Sequence, residues 1–162
     1  NEKVHEKGEN HSKKLTPKQR RKLYNRMKRA RMEFAVETIS ARQINNRGMG
    51  WANKEVFKKL IKRINADKYI VDGNMKIRKA VSRVKADNKI KCVMAASIVA
   101  KVIRDELMMK LHKEHVMYGW KSNKGYGTGY HIQAILEHGM SRYHRSVFVT
   151  TALKNNSPVA PS

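Results

Sequence analysis

The stretch Ala95-Ala96-Ser97-Ile98-Val99-Ala100, inside a helical segment spanning residues 92–114, constrains the fold more than any other feature of the chain. Its side chains are small and apolar, which predicts a helix packed with its backbone close to its neighbours. Two strand-like segments precede it. Residues 68–72 read Lys-Tyr-Ile-Val-Asp and end at the turn residue Gly73, and residues 80–86 lead to Asp87. Short apolar runs closed by turn residues fit buried strands. Strands followed by helices predict an α/β domain with C-terminal helices rather than a helix bundle.

The flanking segments fit that order. Thr16-Pro17 supplies an N-cap and a proline for a helix over residues 17–32, with Leu23, Met27 and Ala30 on one face. Residues 32–40 are β-compatible, with Phe34, Val36 and Ile39 near alternation, and residues 52–64 form an amphipathic helix entered through Trp51. A glycine and aromatic loop over residues 118–130 precedes a helix over residues 131–138 that Gly139 ends. Residues 1–11 read as a flexible arm, residues 12–154 as one domain and residues 155–162 as a disordered tail.

Charge narrows the partner. The 162 residues contain 36 Lys or Arg against 13 Asp or Glu, a formal net charge of +23, so a polyanion is the first ligand to consider. Residues 13–31 carry much of it without a single acid, although a solvated helix face accounts for such a run as readily as phosphate binding. No apolar run reaches the roughly 18–20 residues of a membrane span. The single cysteine, Cys92, cannot close an intrachain disulfide, and no Cys/His set has zinc-ligand spacing. A reducing compartment fits: the cytoplasm, with an organellar matrix as the alternative. The chain opens at Asn1 with no signal-like apolar stretch, as a processed protein or a fragment does.

Asp72 and Asp87 each follow a strand-like segment directly, and in open α/β sheets functional groups gather at the carboxyl ends of strands. Two neighbouring carboxylates repel unless a divalent cation lies between them. On a strongly basic protein, such a cation points to phosphodiester hydrolysis. The same spacing also suits Asp72 as a cap on the Gly73 turn and Asp87 as a helix cap.

Five segments carry a resemblance: Ser12-Lys13-Lys14-Leu15-Thr16; Val71-Asp72-Gly73-Asn74; residues 95–102 with Arg104-Asp105; Lys124-Gly125-Tyr126-Gly127-Thr128; and His144-Arg145-Ser146 with Phe148. In this order they resemble ribonuclease HII, which cuts the RNA strand of RNA/DNA hybrids and nicks at single ribonucleotides in duplex DNA. The resemblance covers roughly residues 11–148. It implies a ribonuclease H-like fold and a two-metal site of four carboxylates using Mg²⁺ or Mn²⁺. Asp72 and Asp87 are then the catalytic metal ligands, Asp87 following Ala86 where the family has glycine. Tyr126 is similar to the tyrosine that stacks on the sugar at the RNA-to-DNA junction. Ser12, Lys13, Lys14, Lys124 and Arg145, with His144 beside it, fall where nucleic acid is contacted, while a solvated helix start suits Lys13 and Lys14 equally and a satisfied C-terminal turn is the alternative for His144 and Arg145.

The family's initial Asp-Glu strand and Gly-Arg-Gly loop have no counterpart here, and His11 replaces the aspartate before Ser-Lys-Lys. Val4-His5-Glu6-Lys7-Gly8 echoes the missing motif faintly, with Glu6 as a candidate carboxylate. Three accounts fit: an N-terminally truncated ribonuclease HII, half of a split enzyme whose partner chain supplies the missing strands, or an inactive basic RNA-binding component of a ribonucleoprotein such as an organellar ribosome. The first ranks highest. With two of four carboxylates missing, the chain alone is expected to turn over little hybrid.

Overall fold

A computed structural model describes residues 15–156. The expected arm, most of the tail, Glu6 and the Ser12-Lys13-Lys14 segment therefore lie outside the described residues. The elements in chain order are α1 (Pro17–Arg29), α2 (Ala41–Arg63), β1 (Tyr69–Asp72), β2 (Ala80–Arg83), α3 (Ala86–Lys89), α4 (Lys91–Glu114), a 3₁₀ turn (Val116–Tyr118), α5 (Trp120–Asn123), α6 (Gly129–His138) and α7 (Ser146–Asn156). The described chain divides into two compact units, residues 15–37 with 57–104 and residues 38–56 with 105–156.

In the first unit, α1 starts where the cap residues require. The Thr16 hydroxyl accepts from the Gln19 amide while the Gln19 side chain accepts from the Thr16 amide, with Pro17 at the first helical position. Its apolar stripe buries Tyr24, which packs with Ile98, Val99 and Val102 of α4 and with half-buried Leu23 and Met27. The sequence face named Leu23 and Met27 but missed Tyr24, the one buried residue of α1. Burial on α4 falls on Val93, Ile98, Val99 and Val102, whereas Ala96 and Ala100 are exposed. The branched residues, not the alanines, make the close contacts there.

Residues 32–40 form no strand. Their apolar side chains are used singly instead: Phe34 meets the Tyr24 ring at 5.8 Å and Val36 packs on the α1–α4 core. The Val36 carbonyl and the Glu37 carboxylate both accept from Arg63. Alternation without a partner strand does not make a strand.

β1 and β2 are parallel, with Tyr69 opposite Ala80 and Asp72 opposite Arg83. The connection, residues 73–79, is short for a parallel pair. It is held by the buried Ile77, by the Ser82 hydroxyl donating to the Met75 carbonyl, and by a left-handed Lys79.

In the second unit, Tyr118, Trp120, Ala134, Ile135 and Val149 form the core, with Met108, Leu111, Tyr143 and Leu153 packed around them. Ser40 and Gln43 cap the start of α2, which therefore begins well ahead of the expected residue 52. Gly48 breaks this helix, with φ 79° and ψ 162°, a conformation open to glycine at little cost. Thr128 caps α6, and Gly139 ends it as expected. The helix α7, unassigned in the sequence, begins after Arg145, whose carbonyl accepts from the Phe148 and Val149 amides.

Candidate active site

Asp72 closes β1 with its side chain exposed. Its Oδ1 accepts the Ala86 amide at 2.8 Å, which ties the carboxyl end of the strand to the start of α3. Lys85, left-handed at φ 58° and ψ 34°, turns the chain into that contact. Asp87 is the next residue along and is 6% exposed. The Gly73 amide donates to the Arg83 carbonyl and extends the sheet ladder. Asp72 thus serves the β1–α3 junction, not the turn.

Two carboxylates at one strand–helix junction are hard oxygen donors of the kind Mg²⁺ and Mn²⁺ take, and such cations commonly keep several waters beside one or two carboxylates. Among the described residues no group of three or more His, Cys, Asp or Glu gathers. By donor type, the Asp72 and Asp87 carboxylates are of the class a divalent cation takes.

Lys124 and Gly125 are both left-handed, at φ 50° and 78°. A Cβ on Gly125 would lie 3.2 Å from the Met108 methyl, so close packing as well as backbone conformation calls for glycine. The turn is pinned by Asn123, whose Oδ1 accepts the Gly125 amide and whose carbonyl accepts the Tyr126 amide, each at 2.8 Å. Lys124 Nζ donates back to the Lys121 carbonyl. Tyr126 stands at the tip, 64% exposed.

Behind this loop lies a buried cluster that sequence reading did not find. His131 Nδ1 is 2.8 Å from the Tyr126 carbonyl, and its Nε2 is 3.1 Å from Trp120 Nε1 and 3.2 Å from His144 Nε2. His144, read from the sequence as a phosphate contact or a satisfied turn, is buried, and its Nδ1 accepts the Ser141 amide at 2.9 Å. Burial first, then the neighbouring His131 and His115 rings, hold its pKa below the ordinary 6.5. The Tyr118 ring packs edge-on to His144 at 4.6 Å. Asn45 clasps the next segment, donating to the His144 carbonyl and accepting the Ser146 amide. Arg145 spreads over the Phe148 ring at 4.0 Å. These partners stand up to 101 positions apart in the chain, so no local pattern announces them.

α1 carries Lys18, Lys22, Arg26 and Arg29 on its exposed side and no acid. The helical period places these four on one stripe opposite Leu23 and Met27.

A family model described as Ribonuclease HII matches residues 2–151. A ribonuclease HII from Wolbachia pipientis subsp. Culex pipiens is 41% identical over 146 residues, covering 87% of this chain and 74% of that protein. One from Clostridium botulinum strain Loch Maree is 36% identical over 148 residues, and this chain spans 55% of its length. The crystal structure of the ribonuclease H2 from Pyrococcus horikoshii OT3 matches with a TM-score of 0.73 at 23% identity, covering 89% of this chain and 79% of that one. That likeness assigns the ribonuclease H-like α/β fold. The chain belongs to the ribonuclease HII family.

Proposed function

We propose that the chain is an endoribonuclease of ribonuclease HII type, acting on the RNA strand of RNA/DNA hybrids, with Asp72 and Asp87 as the carboxylates that hold Mg²⁺ or Mn²⁺. The observation that carries this reading is the hydrogen bond from the Ala86 amide to Asp72 Oδ1. It draws the strand-end carboxylate to the residue next to Asp87 in a chain of this family. When bound, a divalent cation polarises a phosphate and lowers the pKa of a water. The protein's own contribution is to hold the two carboxylates in place beforehand, Asp72 through the Ala86 amide and Asp87 through its buried position on α3.

Binding of the nucleic acid is assigned to Tyr126, which offers an exposed ring for a sugar or base, with Lys124, Arg145 and the Ser12-Lys13-Lys14 segment on phosphates. The stripe on α1 adds a face for the backbone of the duplex. Among the described residues no helix is long and apolar enough to cross a membrane. Cys92 is a free, exposed thiol, which suits a reducing compartment, the cytoplasm.

The test is hybrid cleavage by the full 162-residue chain in Mg²⁺ or Mn²⁺, beside direct Mn²⁺ binding, with Asp72→Asn and Asp87→Asn as variants. Turnover is expected to be low, since only two of the family's four carboxylate positions are matched. Mn²⁺ affinity should fall in both variants, and any cleavage should vanish. Unchanged Mn²⁺ affinity, or cleavage that survives both substitutions, refutes the assignment.

A further inference from the structure

Tyr126 sits between Gly125 and Gly127, where a backbone is ordinarily most free. A ring that stacks on a sugar or base does so best when its placement is settled before the ligand arrives. The Tyr126 amide donates to Asn123, and its carbonyl accepts twice, from the Thr128 amide at 2.9 Å and from His131 at 2.8 Å. The first two bonds are internal to the loop. The bond from His131 ties the tyrosine to the buried core.

The hydrogens in this cluster follow from the partners. A carbonyl only accepts and an indole N–H only donates, so His131 carries its hydrogen on Nδ1 and its lone pair on Nε2. The Ser141 amide occupies His144 Nδ1, which leaves the His144 hydrogen on Nε2, facing His131. Trp120, only 2% exposed, and His144 therefore both donate toward His131, which donates onward to Tyr126. Donor chains aligned in one direction strengthen each member.

We propose that His131 is a positioning residue for Tyr126: Trp120 and His144 fix its tautomer and ring plane, and its Nδ1–H anchors the Tyr126 carbonyl so that the phenol faces a ribonucleotide-bearing strand. The inference rests on the reading of Tyr126 as a nucleic-acid contact.

Two isosteres of the imidazole separate this role from simple space filling. His131→Asn keeps an N–H where Nδ1 stands; His131→Gln keeps an amide where Nε2 stands and leaves nothing to reach Tyr126. In the full chain, amide hydrogen exchange should show Thr128 and Tyr126 losing protection by about tenfold or more in His131→Gln and His131→Ala, and keeping it in His131→Asn, with α6 itself unchanged. Binding is then compared by fluorescence anisotropy on a DNA duplex holding one ribonucleotide and on the all-DNA duplex. Tyr126→Ala should reduce the preference for the ribonucleotide by about 5- to 150-fold, the range of one lost aromatic stack. His131→Gln should reproduce much of that loss, and the double variant should add nothing further, as expected of two residues acting as one. Additive losses, or Gln retaining what Asn loses, overturn the proposal. A normal loss in Tyr126→Ala with full preference in His131→Gln overturns the positioning role alone. Full preference in Tyr126→Ala overturns the reading of Tyr126 itself, and the proposal with it.

Discussion

Replacing Lys18, Lys22, Arg26 and Arg29 together by glutamine removes the exposed stripe of α1 and lowers the formal charge from +23 to +19. The four stand at intervals of four, four and three residues, so the stripe extends about 16 Å along the helix at about 1.5 Å per residue. That length spans several phosphates of a duplex strand, at about 3.4 Å of axis for each. Glutamine has nearly the helix propensity of the residues it replaces, and the apolar face formed by Leu23, Tyr24 and Met27 is untouched. Arg21 and Lys28, each 5.8 Å from the Tyr24 ring, are left in place for the same reason. If each of the four neutralises one phosphate, the slope of log K against log salt flattens by about 0.9 per residue, about 3.6 in all. Between 50 and 200 mM salt the affinity advantage of the native chain over the variant should therefore shrink by about 150-fold. Fluorescence anisotropy on an RNA/DNA hybrid across a salt series measures both slopes, and thermal unfolding confirms that the variant folds. An unchanged slope in a folded variant would place the phosphate contacts elsewhere and refute the reasoning.

Thr16→Ala removes one half of the capping box and should cost about 1 kcal/mol of stability, read by urea unfolding, while Gln19→Ala should remove the reciprocal half for a smaller loss. Trp120→Phe keeps most of the ring packing but deletes one of two donors to His131 Nε2, with an expected loss of about 0.5–1.5 kcal/mol because His144 still faces that nitrogen; an unaltered midpoint would mean that the indole N–H carries nothing. His144 has a folded pKa below its ordinary 6.5, so the unfolded chain binds more protons as pH falls. Its contribution is whole above 6.5 and is lost as pH descends from there to the folded value, with a slope of at most about 1.4 kcal/mol per pH unit, and His144→Asn should abolish that part of the profile. Ala86→Pro deletes the amide that Asp72 accepts, so Mn²⁺ affinity should fall although both carboxylates remain; undiminished affinity would detach the metal reading from the strand–helix junction.

Much of the molecule is local and was therefore readable. Thr16-Pro17 starts α1, Gly139 ends α6, and the run after Lys68 makes β1, because capping groups and turn residues act within a few positions of one another. The same locality brought Asp72 and Asp87 forward, each at the end of a strand-like run. The five matched segments carried the family, since their order is a property of the chain alone. Tertiary structure decided what needs a distant partner. Residues 32–40 have the alternation of a strand, yet their apolar groups meet Tyr24 and the α1–α4 core instead of another strand. Asp72 was compatible with a turn cap until the Ala86 amide, fourteen residues on, was seen to occupy its oxygen. His131, Trp120 and Asn45 carry no signal in sequence, and His144 stood out only as part of a matched segment, not as a buried hydrogen-bonding group. Their work consists of hydrogen bonds among buried side chains, and the donor or acceptor that each must meet is chosen by packing across the fold, where spacing along the chain holds no information.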